Sequence, residues 1–239
     1  LVVVHGAGGD RARWAPVAPA LAERFTLLLM DRRGRGLSGD APEYTIARKI
    51  DDVLALVQAA GGGATLLGHS YGALCSIGAA TRTDQPARVL LYEPPFATEG
   101  RVVVDEVVLG RIEQHLSQGD RERALVTFLR EVVGVDDPTL ELMRQAPAWS
   151  GRVAAAHTIA RELRVAQRHV PSSARLNVPV RFLVGTATAP YLRAATAAAH
   201  AALAPSDVVE LPGQGHVAMD TAPELFIAEV LRFAGAAAS

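Results

Sequence analysis

The sequence predicts an α/β fold, a mostly parallel sheet with helices on both faces. Three observations predict it. Short runs rich in Val and Leu recur at residues 1–4, 26–30, 65–67 and Arg88–Tyr92. Segments of helical period, rich in Ala and Leu, separate them at residues 14–24, 46–60 and 71–81. Turns rich in glycine and charge follow the apolar runs. Strand and helix alternating at this spacing require crossover connections, so neighbouring strands run parallel and both sheet faces are covered.

Each element has its own warrant. The run Leu1-Val2-Val3-Val4 is continuous and β-branched, as a strand buried on both faces should be. The chain opens inside this run and not at a methionine, so further strands are expected before it. After residue 95 the alternation breaks. Residues 106–116, 121–133, 138–144 and 151–169 read as helices, with turn signals at Gly119-Asp120, Asp136-Asp137-Pro138 and Pro171-Ser172-Ser173. Two further strands, 180–184 and Asp207–Leu211, and a last helix over 223–233 complete the chain. The expected organisation is a core over 1–95, a helical insertion over 96–177 folded above the sheet edge, and the core resumed over 178–239. The last residues, Gly235 to Ser239, are expected to fray.

Composition narrows the function. A formal net charge of -1 gives no broad attraction to nucleic acid or to an anionic membrane. One cysteine, Cys75, excludes an intrachain disulfide, and its place in an apolar helix suits a small buried hydrophobe. No run of 18 apolar residues and no leader pattern is visible, so a cytoplasmic protein acting on a small molecule is expected. His115, His157 and His169 have no metal-ligand spacing, and the Gly-rich stretch at residues 5–9 lacks the Lys and Ser/Thr of a phosphate loop. No cofactor and no metal are therefore expected.

The richest stretch is Gly68-His69-Ser70-Tyr71-Gly72. It follows the apolar run ending at Leu67 and precedes the helix over 71–81. A serine at such a strand-to-helix turn is forced into a conformation few residues tolerate, and it exposes its hydroxyl at the strand's carboxyl end. A hydroxyl is a weak nucleophile and needs a base. His216, in Gly213-Gln214-Gly215-His216 after the last strand, is the candidate. Charge developing on a carbonyl oxygen would need two N–H donors. Tyr71 N–H, just after the serine, and Ala7 N–H, in the loop after the first strand, are the expected pair.

These pieces resemble the α/β-hydrolase family. The resemblance covers essentially the whole chain. It rests on His5-Gly6, on Asp31-Arg32-Arg33-Gly34-Arg35-Gly36-Leu37-Ser38, on Gly68-His69-Ser70-Tyr71-Gly72 and on Gly213-Gln214-Gly215-His216. It implies the α/β-hydrolase fold with an inserted cap, and a Ser-acid-His triad. The second piece resembles a structural turn of the family and is not expected to be catalytic. The acid departs from the family pattern. In Gly185-Thr186-Ala187-Thr188, Thr188 stands where members of the family usually carry Asp. Glu93, at the end of Arg88–Tyr92, is the expected substitute, since some relatives supply the acid from this strand. Its alternative role is a salt-bridge partner. A weaker candidate acid is Asp220, which also suits a helix N-cap.

The activity so implied is hydrolysis of a carboxylic ester or lactone of a small, fairly apolar molecule through an acyl-enzyme. Carbon–carbon cleavage of a diketone-type substrate, or a non-hydrolytic role on the same fold, remain open. Trp14, Phe96 and Trp149 are the expected substrate contacts, with Arg13, Tyr71, Pro95, His157 and Tyr191 as further candidates. Leu-rich helices of the insertion could support a homodimer, and the sequence leaves oligomeric state open.

Overall fold

A computed structural model describes residues 1–41, 43–169 and 176–235. The expected turn at 171–173 and residues 236–239 of the expected frayed tail lie outside the described residues. Six strands form one sheet: β1 Val2–Val4, β2 Leu28–Leu29, β3 Thr65–His69, β4 Arg88–Tyr92, β5 Val180–Gly185 and β6 Asp207–Leu211. Their order is β2-β1-β3-β4-β5-β6 and every pairing is parallel. The central strands β1, β3 and β4 are buried at every residue, which explains their unbroken apolar runs. The edge strand β2 is shorter than its apolar run, and β6 is largely exposed.

Helices α1 Ala18–Ala22, α2 Ile46–Ala59 and α3 Tyr71–Ala80 lie between the first four strands. The first is shorter than its helical pattern. Proline at 16 and 19 lacks the N–H a continuing helix needs, so the chain makes a 3₁₀ turn at Arg11–Trp14 and starts the α-helix again afterwards. The Thr45 hydroxyl caps α2 by accepting from Arg48 N–H.

Between β4 and β5 come α4 Glu106–Ser117, α5 Arg121–Thr127, α6 Asp137–Gln145, α7 Trp149–Ala155 and α8 Ile159–Arg168. Two of these differ from the periodic pattern. The helix expected to 133 turns into a π-helical segment at Phe128–Val133, closed by Gly134 at φ 79°. The helix expected over 151–169 is cut at Ala156–Thr158 by a 3₁₀ turn. There the Thr158 hydroxyl donates to Ala155 O at 2.7 Å and accepts from Arg35 Nε at 3.1 Å, so a tertiary partner bends the helix. The remaining helices are α9 Pro190–Ala202, α10 Ala218–Thr221 and α11 Pro223–Ala234. Among the described residues, no helix is long and apolar enough to cross a membrane.

Candidate active site

The site forms where the loops leaving β1, β3, β4, β5 and β6 converge at the carboxyl ends of the strands, the edge where open parallel sheets bind ligands. Register sets the neighbours. His69 of β3 lies opposite Tyr92 of β4, and Tyr92 opposite Leu183 of β5. The next residues, Ser70 and Glu93, therefore emerge side by side. Ser70 N–H donates to Tyr92 O at 2.8 Å and Glu93 N–H to Leu183 O at 3.3 Å.

Ser70 and Glu93 are the non-glycine residues with positive φ among those described, at 54° and 47°. Such backbones are strained for side-chain-bearing residues and persist only where the surroundings enforce them. At Ser70 the enforcement is close packing. A Cβ on Gly68 would lie 2.7 Å from Ala73 Cα, and one on Gly72 would lie 2.3 Å from Val4 O. Only glycine lets strand, turn and helix approach so closely.

His216 is buried against this turn. Its Nδ1 lies 2.5 Å from Glu93 Oε2. The Glu93 carboxylate is fully buried and further held by Gly185 N–H at 2.7 Å and by the Thr188 hydroxyl at 3.0 Å. A neutral imidazole bound to a carboxylate through Nδ1–H leaves Nε2 bare, ready to accept a proton. Ser70 and His216 border the same two small cavities. Ala7 and Tyr71 flank the serine, and among the described residues neither backbone N–H has an acceptor. A hydroxyl, a carboxylate-bound imidazole and two free N–H donors can together attack a carbonyl carbon, move its proton and hold the resulting oxyanion.

Sequence reasoning missed two supports. His69 Nε2–H donates to His216 O at 2.9 Å, and the two rings lie 4.6 Å apart. Burial, then the neighbouring His216 and Arg13, push the His69 pKa well below its usual value, so it acts as a neutral brace. Thr188 supplies a donor to Glu93 where the family pattern suggests only a missing acid. The G-x-x-D position was visible, but contact with another strand's carboxylate was not.

The Asp31-to-Ser38 turn clasps the loop after β1. Arg32 donates to His5 O at 2.8 Å and to Gly6 O at 2.7 Å, and Arg35 donates to Gly6 O at 3.0 Å. Both guanidiniums meet Glu162 of α8, Arg32 at 2.6 and 3.1 Å and Arg35 at 2.6 Å. Lys49 stands 3.5 Å from the same carboxylate. This buried cluster ties the core, the β1 loop and the inserted helices together.

The other expected contacts fall in different places. Trp14 is buried between His69 and Phe226, each 6.2 Å away centre to centre, and does not border the cavities at Ser70. Phe96 is buried in the core, and Trp149 packs with Arg144 5.7 Å over its ring. Asp220 is ion-paired with Arg13, and among the described residues the carboxylate bonded to His216 is that of Glu93. Pro95, Tyr71 and Tyr191 border one Ser70 cavity, while His157 bonds Ala154 O near the surface. Each cavity at Ser70 is about 20 Å³, room for roughly one water. Their walls include Phe128, Val133 and Leu163 from the segment between β4 and β5. Among the described residues, no cluster of three or more His, Cys, Asp or Glu is placed to hold a metal ion.

Fold and strand-end geometry together define a class. Residues 1–229 match the profile of the alpha/beta hydrolase family, and the chain belongs to that family. It is 35% identical over 105 residues to a 2-(acetamidomethylene)succinate hydrolase of Mesorhizobium japonicum, a match covering 41% of this chain and 37% of the relative. An N-formylmaleamate deformylase of Pseudomonas putida is also 35% identical over 105 residues, covering 42% of this chain and 39% of the relative. Each match thus spans less than half of the relative's length. A solved alpha/beta hydrolase from Sphaerobacter thermophilus superposes with a TM-score of 0.81 at 33% identity, covering 97% of this chain and 91% of that one.

Proposed function

We propose that this protein is a serine hydrolase that cleaves a carboxylic ester or lactone of a small molecule through an acyl-enzyme. The observation carrying this reading is the 2.5 Å contact between His216 Nδ1 and Glu93 Oε2, beside a serine held at positive φ. Ser70 Oγ attacks the carbonyl carbon as His216 Nε2 takes its proton. The oxyanion is met by the N–H groups of Ala7 and Tyr71. Collapse breaks the bond to the leaving alkoxide, which receives the proton from His216. Water then repeats the sequence on the acyl-serine and releases the acid. Glu93 fixes the imidazole tautomer and stabilises the imidazolium.

The names of the two relatives favour a second reading, the same acyl transfer at a carbon–nitrogen bond. A panel pairing esters with matching amides separates the two by which leaving group is turned over.

The first test needs no known substrate. Incubation with a fluorophosphonate should add one adduct by intact mass. The adduct should be absent in Ser70→Ala and strongly slowed in His216→Ala. Folded protein that gains no adduct would remove the serine-hydrolase reading and leave a non-hydrolytic role on this fold.

Thr188→Val should lower turnover about tenfold by removing one donor to the Glu93 carboxylate. Steady-state kinetics on whichever ester the panel selects would check it, and an unchanged rate would show that Gly185 N–H and His216 hold Glu93 without the Thr188 hydroxyl.

A further inference from the structure

Arg152 of α7 is the unexplained charge beside the site. Its side chain is buried, 7% exposed overall, and among the described residues its guanidinium has no hydrogen-bond or ion-pair partner. Two acids lie close enough to offset part of its charge, though neither is hydrogen-bonded to it. Asp220 is paired with Arg13, and Asp10 accepts from Ala12 N–H at 2.8 Å. Burial, then repulsion from Arg13, pull the Arg152 pKa down to about 9, against weaker opposing pulls from Asp220 and Asp10. A buried guanidinium left without a direct hydrogen bond is costly, and an anionic ligand would supply the bonds it lacks.

Its location says where that anion comes from. Arg152 and Arg13 border the small cavity shared by Ser70 and His216. The same two side chains border an outer pocket of about 430 Å³, whose other walls include Leu142, Met143 and Pro147. The two arginines thus border both the apolar outer pocket and the cavity at the nucleophile. Arg13 is neutralised by Asp220, and Arg152 is free to make two parallel hydrogen bonds to a planar anion.

We propose that Arg152 is the recognition residue for a carboxylate on the substrate, so the preferred substrates are small acids carrying the scissile acyl bond close to a free carboxylate. This rests on the serine-hydrolase reading and adds a carboxylate to the small, fairly apolar molecule expected from the sequence. The carboxylate meets Arg152 while the scissile carbonyl lies at Ser70, and the apolar remainder occupies the outer pocket.

The test reads binding apart from catalysis. In Ser70→Ala protein, succinate and glutarate are titrated by calorimetry beside their uncharged diamides. Expected is binding of the dicarboxylates, none of the diamides, and a loss of about tenfold or more in affinity in Ser70→Ala/Arg152→Met. Arg152→Lys, which keeps the charge without the fork, should lie between. Met is close in volume and removes an unpaired charge, so thermal unfolding of the variant should occur at the same temperature or higher. No dicarboxylate binding, or binding undiminished by Arg152→Met, overturns the proposal. Fluorophosphonate labelling of the wild-type protein reports the hydrolase reading separately. A labelled serine with no dicarboxylate binding sinks the carboxylate site alone, whereas an unlabelled serine sinks the reading beneath it. A matched pair of aryl esters, hemisuccinate against butyrate, then gives the activity readout: selectivity for the charged ester in wild type, collapsing toward unity in Arg152→Met.

Discussion

Glu93→Gln is expected to lower kcat/KM by about four orders of magnitude while leaving the fold intact, the scale seen when a triad carboxylate becomes an amide. The cause is local. Glu93 Oε2 meets His216 Nδ1 at 2.5 Å and also accepts from Thr188, while Oε1 accepts from Gly185 N–H. An amide has one oxygen, so it cannot accept from both sides of the site as the carboxylate does. Its NH₂ group would face either a backbone donor or the imidazole. Facing the imidazole, it would favour the tautomer with the proton on Nε2, which cannot take the serine proton. Four orders correspond to about 5.5 kcal/mol at the transition state. Steady-state rates, with circular dichroism and thermal unfolding as folding controls, decide the matter. Near wild-type turnover would mean that His216 works without Glu93.

Glu162→Gln should have the largest effect on stability, about 3–5 kcal/mol of destabilisation. The side chains of Arg32, Arg35 and Glu162 are fully buried, and removing the anion leaves two guanidiniums and Lys49 without it. Such a loss is a large fraction of the ~5–15 kcal/mol that holds a typical domain folded. Because Arg32 and Arg35 also grip the carbonyls of the β1 loop, the donor at Ala7 should lose its placement as well. Denaturant unfolding gives the magnitude.

The same residue sets an acid limit. Burial alone would raise the Glu162 pKa, but Arg32, Arg35 and Lys49 overcome it and hold the group well below its ordinary 4.5. A depressed folded-state pKa means the unfolded chain binds the proton more readily. The contribution is therefore complete above about pH 4.5 and is lost as pH falls through the depressed value. Wild-type stability should drop more steeply below pH 4.5 than that of Glu162→Gln, and parallel acid-unfolding curves would contradict this.

Much of this was legible in the sequence because it depends on local pattern. Unbroken Val and Leu runs mark strands buried on both faces, and the glycines around Ser70 mark a turn that nothing bulkier can make. Ser70, Glu93 and His216 follow the third, fourth and sixth strands of a parallel sheet, which puts them on one edge by chain order alone. Helix interruptions were less legible. Thr158 breaks a periodic helix because Arg35, more than a hundred residues away, takes its hydroxyl. Trp14 read as a pocket residue because it follows the β1 loop, yet its ring turns into the core against Phe226.

The sequence by itself determined the parallel sheet, the strained serine and the histidine after the last strand, since strand period, glycine sterics and chain order are written residue by residue. Tertiary structure alone decided what Glu93 touches, that Thr188 serves as its donor, that Glu162 pairs with both turn arginines, and that Arg152 borders the serine cavity with no hydrogen-bond partner among the described residues. Those are facts about charge and burial. Whether a charged side chain is solvated, paired or left alone depends on which distant segments fold around it, and no local pattern carries that information.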